Sequence, residues 1–272
     1  MSDVKTISII GCGNMGEALI AGILRSKLFP VEKVMGMDNS PERLKYIKEK
    51  YSVNTTKDIA LAVKNSDVII ISVKPAIVEK ALSGMAGCLT KKKLLISVAA
   101  GITTAFIEKI TGGEIPVIRV IPNTPALLCL GASGICRGKY ADEFDERTAS
   151  EILQSVGIVI NTTEEKLDAI TALSGSGPAY VFYFIESMIS AGIKAGLNEE
   201  DARKLTLQTI MGSVYMVYET EDSPETLRKK VTSPGGTTEA AIRVLAENNF
   251  QEILVEAILK AKERSKELGK IK

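Results

Sequence analysis

The first residues with an evident chemical use are three glycines, Gly11, Gly13 and Gly16, spaced as G-x-G-x-x-G in IIGCGNMGEALIAGIL. An apolar β-branched run precedes them and an amphipathic helical pattern follows. Glycine at these places permits a tight turn, close approach of the backbone to a pyrophosphate, and close packing of helix on strand. The helix N-terminus then offers backbone N–H groups to phosphate oxygens. The spacing therefore predicts a dinucleotide-binding loop, formed by Gly11, Cys12, Gly13, Asn14, Met15 and Gly16.

A polar cluster at the end of the second predicted strand bears on which nicotinamide nucleotide binds. Asp38 lies about twenty residues beyond Gly16, where a carboxylate accepts the ribose hydroxyls of NADH and repels the 2′-phosphate of NADPH. Ser40 and the N-terminus of a helix opening at Pro41 are suited instead to hold that phosphate, although the nearest arginine, Arg43, sits inside the first turn. Helix capping explains the same side chains equally well. The sequence leaves both nucleotides open, and the predicted cofactor-binding residues here are Asp38, Asn39 and Ser40.

Three further segments follow predicted strands at the edge where parallel sheets bind ligands. SVKP ends a strand with a lysine and a helix-starting proline, SVAAG offers small residues against which a nicotinamide ring can lie flat, and RVIPNTPA places polar side chains after a strand. Structural turns without a ligand explain the three segments about equally well. The residues predicted to border the cofactor are Val73, Lys74, Pro75, Ala100 and Asn123.

The chain contains no histidine, which limits its chemistry. Serine and cysteine triads with a histidine base, histidine-ligated metals and histidine-dependent dehydrogenation are excluded. The four cysteines form no C-x-x-C pair, so neither a zinc site nor a disulfide framework is expected, and no metal is predicted. Chemistry must come from a cofactor, a hydroxyl, a carboxylate or a lysine.

Composition favours a small-molecule partner. The chain of 272 residues is long enough for two domains, and its 34 basic and 33 acidic side chains give no charge asymmetry suited to nucleic acid or an anionic membrane. No apolar run approaches the roughly 18 residues of a membrane span, and the first residues lack the basic segment of a signal peptide. We expect a cytoplasmic protein that binds neither nucleic acid nor a membrane.

The elements that must position these residues divide the chain in two. In the first half, short β-branched runs alternate with helical patterns, which is typical of parallel strands joined by helical crossovers. After Asn161 the strand pattern disappears and apolar residues recur at helical spacing. PAYVFYFIESMISAGIKAGL is apolar nearly all round, so we expect it to be buried within its domain or against a second copy. The sequence predicts an α/β Rossmann-type domain with a mostly parallel sheet at 1–161, followed by an all-α domain at 162–272.

Four segments together resemble a known enzyme family: IIGCGNMGEAL, RVIPNTPA, LSGSGPAYVF and VTSPGGTTEAA. With these segments, the chain is similar to pyrroline-5-carboxylate reductase over essentially its whole length. The last two segments are the specific ones, because a glycine-rich first loop also suits hydroxyacid dehydrogenases, whereas SGSGPAY followed by SPGGTT is not their pattern.

The resemblance implies an N-terminal Rossmann domain and a C-terminal helical dimerisation domain, assembled as homodimers that often form decamers. It implies reduction of the small molecule 1-pyrroline-5-carboxylate to L-proline with NADPH or NADH, the last step of proline biosynthesis. Thr238 matches the threonine that contacts the imine, and is the implied catalytic residue. The implied substrate-binding residues are Ser233, Pro234, Gly235, Gly236, Thr237 and Thr238, with Glu221 as a looser correspondence.

Elementary chemistry gives the VTSPGGTTEAA loop a matching use. The substrate carries a carboxylate beside a cyclic imine, and a helix N-terminus with open amides at Gly235, Gly236 and Thr237 suits a carboxylate. The Thr238 hydroxyl is then available to the ring nitrogen. Because a protonated imine is already an electrophile, no strong acid is required, which agrees with the missing histidine. Capping by Thr237 or Thr238 in a plain interhelical turn is the structural alternative.

The chain departs from the family pattern near this loop. Ser223 stands where members commonly carry a histidine, and the basic run at 228–230 replaces an acidic position. These departures bear on substrate affinity and not on the class of reaction.

Two other functions also stay open. One is a related imine or hydroxyacid reductase acting on another small carboxylate, for which Lys194 is the candidate lysine. The other is a non-catalytic NAD(P)-binding dimeric regulator.

Overall fold

The computed structural model describes residues 4–270, and eight strands of this part form one sheet. The strands are β1 (Ile7–Ile10), β2 (Val34–Met37), β3 (Asn54–Thr56), β4 (Val68–Ile71), β5 (Leu94–Ser97), β6 (Val117–Ile121), β7 (Gly131–Arg137) and β8 (Gly157–Asn161). Their order across the sheet is β3-β2-β1-β4-β5-β6-β7-β8. All neighbouring strands run parallel except β6 and β7. The predicted Rossmann-type domain with a mostly parallel sheet is confirmed.

Twelve helices are described alongside the sheet. They are α1 (Asn14–Arg25), α2 (Pro41–Tyr51), α3 (Ile59–Lys64), α4 (Pro75–Met85), α5 (Thr104–Thr111), α6 (Glu143–Gln154), α7 (Leu167–Ile170), α8 (Gly177–Lys194), α9 (Glu199–Glu219), α10 (Pro224–Lys230), α11 (Thr237–Glu247) and α12 (Phe250–Lys270). None of them combines the length and the apolar character needed to cross a membrane.

The central strands are buried on both faces because helices cover both sides of the sheet. Along β4, Val68 and Ile70 belong to one apolar cluster and Ile69 and Ile71 to the other. This alternation is the period of two expected of a strand, and it explains why the strands are apolar without interruption. Helices α1, α2 and α6 supply the first cluster, and α3, α4 and α5 supply the second. Burial of each large side chain contributes about 1.5–3 kcal/mol.

The chain divides into two compact units, one running to Ser176 and including the stretch from Ala261 onward, the other comprising Gly177–Lys260. This division falls later than the predicted boundary after Asn161. The reason is local packing, because Leu167 is fully buried and Ile170 lies against β7 beside Gly134. The end of α12 belongs to the first unit, where the Ser265 hydroxyl donates to a carboxylate oxygen of Asp168 at 2.6 Å.

The second unit is helical and has almost no core of its own. From Gly177 to Lys260, only Ala202 and Thr206 are buried among the described residues. Helix α8 approaches α9 closely enough that a Cβ added at Gly192 would lie 3.1 Å from that of Ala202. The predicted helical second half is confirmed, but its apolar side chains stay exposed in a single chain.

An ion pair between a buried arginine and a half-buried glutamate attaches the segment after β8 to the sheet. Arg119 on β6 is 4% exposed, and its Nη1 donates to Oε1 of Glu164 at 2.9 Å. The same carboxylate accepts the backbone N–H of Thr104 at 2.9 Å and its hydroxyl at 2.8 Å. Glu164 therefore joins β6, the start of α5 and the chain that leaves β8.

Replacing Glu164→Gln should destabilise the first unit by about 2 kcal/mol, because a buried arginine loses its counter-ion and the Thr104 hydroxyl loses its acceptor. The free energy of unfolding measured by urea denaturation checks this. Glu165→Gln is the matched control, since Glu165 is the exposed neighbour. Equal effects of the two substitutions would contradict the role of the ion pair.

Candidate functional site

The glycine turn joins β1 to α1 with no room for side chains at two positions. Gly11 has φ +96°, and a Cβ there would lie 2.6 Å from the carbonyl oxygen of Ser72. A Cβ on Gly16 would lie 2.0 Å from the carbonyl oxygen of Gly11. The Gly11 N–H donates to the Met37 carbonyl at 2.7 Å, which ties the turn to the end of β2. The roles predicted for the first and third glycines are thus visible as close contacts.

Beside this turn, the first amides of α1 are open to a ligand. A Cβ at Gly13 would meet nothing within 4 Å, and Gly13 begins α1 as an N-cap without a side-chain hydrogen bond. No described residue accepts the N–H groups of Asn14, Met15 or Gly16. The Ser72 hydroxyl, at the end of β4, is buried without a hydrogen-bond partner among the described residues. Open amides, an open glycine and an orphaned hydroxyl fit a dinucleotide pyrophosphate.

Cys12 contributes its backbone rather than its thiol. The side chain is fully buried, and its Sγ lies 3.6 Å from the Met37 carbonyl oxygen. Burial, reinforced by the nearby charge of Asp38, raises the pKa of the Cys12 thiol to about 12. The thiol is therefore neutral at physiological pH and has no nucleophilic role.

Asp38 is built into the turn. Its two carboxylate oxygens accept the backbone N–H groups of Cys12 at 2.8 Å and Ser40 at 2.9 Å. Ser40 caps α2, because its hydroxyl accepts the N–H of Arg43 at 3.2 Å. Asn39 is exposed. The capping explanation is therefore correct for Ser40, while contact of all three with the adenosine ribose stays a prediction.

Arg43 reaches the glycine turn, which its place in the sequence did not indicate. Its Nε donates to the Cys12 carbonyl, and its Nη2 pairs with the carboxylate of Glu17 on α1. Glu17 also accepts hydrogen bonds from Lys50, Tyr46 and Tyr51 at 2.9–3.0 Å. The only available signal was that Glu17 and Arg43 lie near the facing ends of two successive helices.

The other predicted cofactor residues lie at the same edge of the sheet, with unequal support. A Cγ atom of Val73 lies 2.8 Å from where a Gly11 Cβ would be, so Val73 borders the turn. Lys74 and Pro75 begin α4 and are exposed, and Ala100 is exposed after β5. The Asn123 side chain has a structural role: its Nδ2 donates to the Ser174 carbonyl at 3.0 Å, and its Oδ1 accepts the Ala132 N–H at 2.9 Å. Its contact with a nicotinamide stays a prediction.

The loop before α11 folds as a tight turn. The Gly236 N–H donates to the Ser233 carbonyl at 3.0 Å, Pro234 occupies the second position, and Gly235 has φ +71°. This is the pattern of a type II turn, which requires a residue such as glycine at the third position. The Gly235 N–H donates to a carboxylate oxygen of Glu239 at 2.8 Å.

The open amides of this loop lie further along than predicted. The Gly236 N–H is used within the turn and the Gly235 N–H is used by the Glu239 carboxylate, so the prediction that both amides are open was wrong. No described residue accepts the N–H groups of Thr237, Thr238 or Glu239 at the start of α11. Gly236 is the N-cap without a side-chain hydrogen bond, so neither threonine caps the helix. The half-buried Thr238 hydroxyl has no partner among the described residues, and the open amides begin at Thr237.

The remaining candidates of the helical unit are exposed. Glu221 lies in the turn between α9 and α10, and Lys194 ends α8. Two members of the basic run are paired, Lys229 with Glu225 at 2.7 Å and Lys230 with Asp222 at 2.5 Å. The positive charge that they add near the loop is thus partly neutralised. Glu239, which sequence reasoning missed, was signalled by its place three residues after the N-cap.

Comparison with known proteins covers the whole chain. A family model described as pyrroline-5-carboxylate reductase dimerisation matches residues 164–268, and one described as NADP oxidoreductase coenzyme F420-dependent matches residues 6–101. Pyrroline-5-carboxylate reductase from Pseudomonas aeruginosa is 40% identical over 264 residues, which cover 97% of this chain and 96% of the relative. Pyrroline-5-carboxylate reductase 1 of Bacillus subtilis is 37% identical over 268 residues, which cover 98% and 90%.

Solved structures agree with these relatives. A pyrroline-5-carboxylate reductase from Coxiella burnetii matches with a TM-score of 0.92 and 38% identity, covering 98% of this chain and 99% of that one. A Plasmodium falciparum pyrroline carboxylate reductase with NADP bound matches with a TM-score of 0.88 and 34% identity, covering 99% of each chain. With its glycine turn, its type II turn and this full-length similarity, the chain belongs to the pyrroline-5-carboxylate reductase family.

Proposed function

We propose that the chain reduces 1-pyrroline-5-carboxylate to L-proline with NADPH or NADH, the last step of proline biosynthesis. The observation that carries the proposal is the pair of open helix N-termini, at the glycine turn and at the type II turn, in a chain similar to these reductases over its full length. One N-terminus suits a pyrophosphate and the other suits a small carboxylate. The four free thiols agree with a cytoplasmic location, where cysteines stay reduced.

The chain's own residues bind and orient rather than supply strong acid or base. Amides at the start of α1 hold the pyrophosphate, and those of Thr237 and Thr238 hold the substrate carboxylate. A bound nicotinamide would supply a hydride to the imine carbon, which becomes C5 of proline, and the electron pair of the C=N bond would stay on nitrogen, which already carries its proton when the substrate is the iminium. The product is a neutral secondary amine, which then takes a proton from water. Thr238 orients the ring nitrogen through its hydroxyl.

Two other functions explain fewer of the structural features. A hydroxyacid reductase needs a lysine beside the substrate, and the candidate, Lys194, lies exposed at the end of α8. Full activity of Lys194→Ala would eliminate the hydroxyacid reductase hypothesis. A non-catalytic regulator has no use for the open amides and unpartnered hydroxyl at Thr238. Nucleotide binding without turnover of any cyclic imine would favour the regulator.

We further propose that the helical unit forms a homodimer, with decamers as a possible higher assembly. The support is its lack of a core in the single chain and the dimerisation family that matches residues 164–268. On α9, Met211, Val214 and Tyr218 share one face and are 49%, 58% and 77% exposed. A face of this kind needs an apolar partner surface.

Replacing Thr238→Ala should lower kcat/KM by about ten- to a hundredfold without abolishing turnover, because one hydrogen bond to a charged group is lost. Thr238→Ser should recover most of the activity, since it restores the hydroxyl. Initial rates of NADPH and NADH oxidation with 1-pyrroline-5-carboxylate check both, with Thr237→Ala as the control that keeps its backbone amide. Wild-type activity in Thr238→Ala would remove its assigned role, and absence of turnover in the wild type would remove the proposed function.

Replacing Glu239→Gln should lower KM for the substrate about two- to threefold at low ionic strength, with kcat little changed. The variant keeps an acceptor for the Gly235 N–H but removes a negative charge beside the carboxylate site. The effect should fade in about 0.5 M salt, because exposed charges are screened. Glu247→Gln, at the other end of α11, is the control. A similar change in that control would show that the effect is not local to the turn.

Replacing Val214→Asp should dissociate the dimer, because it places an unpaired charge in an apolar interface. Sedimentation velocity should show wild-type assemblies of at least two 29.2 kDa chains and a smaller species for the variant, with reduced helix content by circular dichroism. Thr209→Asp, at an exposed polar position on the opposite side of the same helix, should leave the assembly unchanged. A monomeric wild type would contradict the dimer.

A further inference from the structure

The guanidinium of Arg43 lies over the glycine turn and is held there from several directions. Besides its bond to the Cys12 carbonyl, its Nη2 lies 3.4 Å from the Gly13 carbonyl oxygen and pairs with Glu17. Its Cζ lies 4.9 Å from the centre of the Tyr46 ring. Because carbonyls and a ring hold the guanidinium as well, its position does not depend on Glu17 alone.

Part of Arg43 remains available to a ligand. Its side chain is 26% exposed, and no described residue accepts the two N–H groups of Nη1. The arginine follows β2 at the start of α2, which is where dinucleotide-binding domains contact the 2′ position of the adenosine ribose. A phosphate there takes hydrogen bonds from a guanidinium, whereas a ribose hydroxyl gains little from its charge.

The charges around Arg43 work against a 2′-phosphate. Glu17 pairs with both Arg43 and Lys50, and two further carboxylates, Asp38 and Glu42, lie close to the start of α2. Burial alone would raise the pKa of Glu17, but hydrogen bonds from Lys50, Arg43, Tyr51 and Tyr46 lower it to about 2. Glu17 is therefore ionised throughout the working pH range. Asp38 is fixed by two backbone N–H groups, so Glu17 is the carboxylate that pairs directly with Arg43.

We propose that Glu17 sets the balance between NADH and NADPH by neutralising Arg43, and so holds back the preference for NADPH. Removing the charge of Glu17 leaves the guanidinium over the turn without its directly paired carboxylate, which strengthens binding of the 2′-phosphate alone. Glu17 is thus a positioning and charge-balancing residue, while Arg43 is the one that contacts the nucleotide. The inference rests on the proposed use of NAD(P)H.

The test is direct binding of NADPH and NADH by isothermal titration calorimetry, without substrate. We expect Glu17→Gln to shift the ratio of the two dissociation constants toward NADPH about tenfold, and Arg43→Met to shift it toward NADH by a similar factor. Tyr51→Phe is the matched control, because it removes one hydrogen bond to Glu17 without changing charge, and its ratio should equal that of the wild type. In Glu17→Gln combined with Arg43→Met, the effect of the first substitution on the ratio should disappear.

A ratio unchanged in Glu17→Gln, or shifted toward NADH, would overturn the inference while leaving the proposed function intact. If Glu17→Gln does not fold, the test relies on Arg43→Met. Wild-type affinity of Arg43→Met for both nucleotides would overturn the inference. Absence of binding to either nucleotide by the wild type would overturn both this inference and the proposed function.

Discussion

The two proposed binding sites depend on two helices, α1 and α11, that have a glycine as N-cap and leave their first amides without acceptors among the described residues. Helix α1 starts after Gly13 and α11 after Gly236, and neither N-cap forms a side-chain hydrogen bond. By contrast, α2, α5, α6, α9 and α10 are capped by Ser40, Thr103, Asp142, Asn198 and Ser223. An uncapped helix N-terminus is costly unless water or a ligand satisfies its N–H groups, so a bound anion stabilises both of these helix ends.

At both helix ends a carboxylate holds the turn that precedes the open amides. Asp38 accepts the N–H of Cys12 before α1, and Glu239 accepts that of Gly235 before α11. Each carboxylate fixes the backbone geometry and places negative charge near an anion site. Affinity at either end therefore reflects a balance between open amides and a structural carboxylate. At the first end the nearby guanidinium of Arg43 is itself paired with Glu17, and at the second no cation pairs with Glu239 among the described residues.

Much of the fold could be predicted from the sequence because the sequence patterns that determine it are local. Uninterrupted β-branched runs predicted buried parallel strands, and G-x-G-x-x-G between a strand and a helix predicted the turn. The contact of Arg43 with the glycine turn could not be predicted from the sequence, because it depends on how α2 packs beside α1. The free amides of the second loop were misplaced because the bond from Gly235 to Glu239 was not anticipated. The unit boundary differed because burial of Leu167 is a tertiary effect.

The central claim is that hydride passes from the nicotinamide to the imine carbon of a small cyclic carboxylate. The most direct measurement is turnover of 1-pyrroline-5-carboxylate with NADPH carrying deuterium at the transferred C4 position, followed by mass spectrometry of the product. We expect L-proline carrying one deuterium at C5. Formation of no proline, or of proline without deuterium from either C4 position, would contradict it.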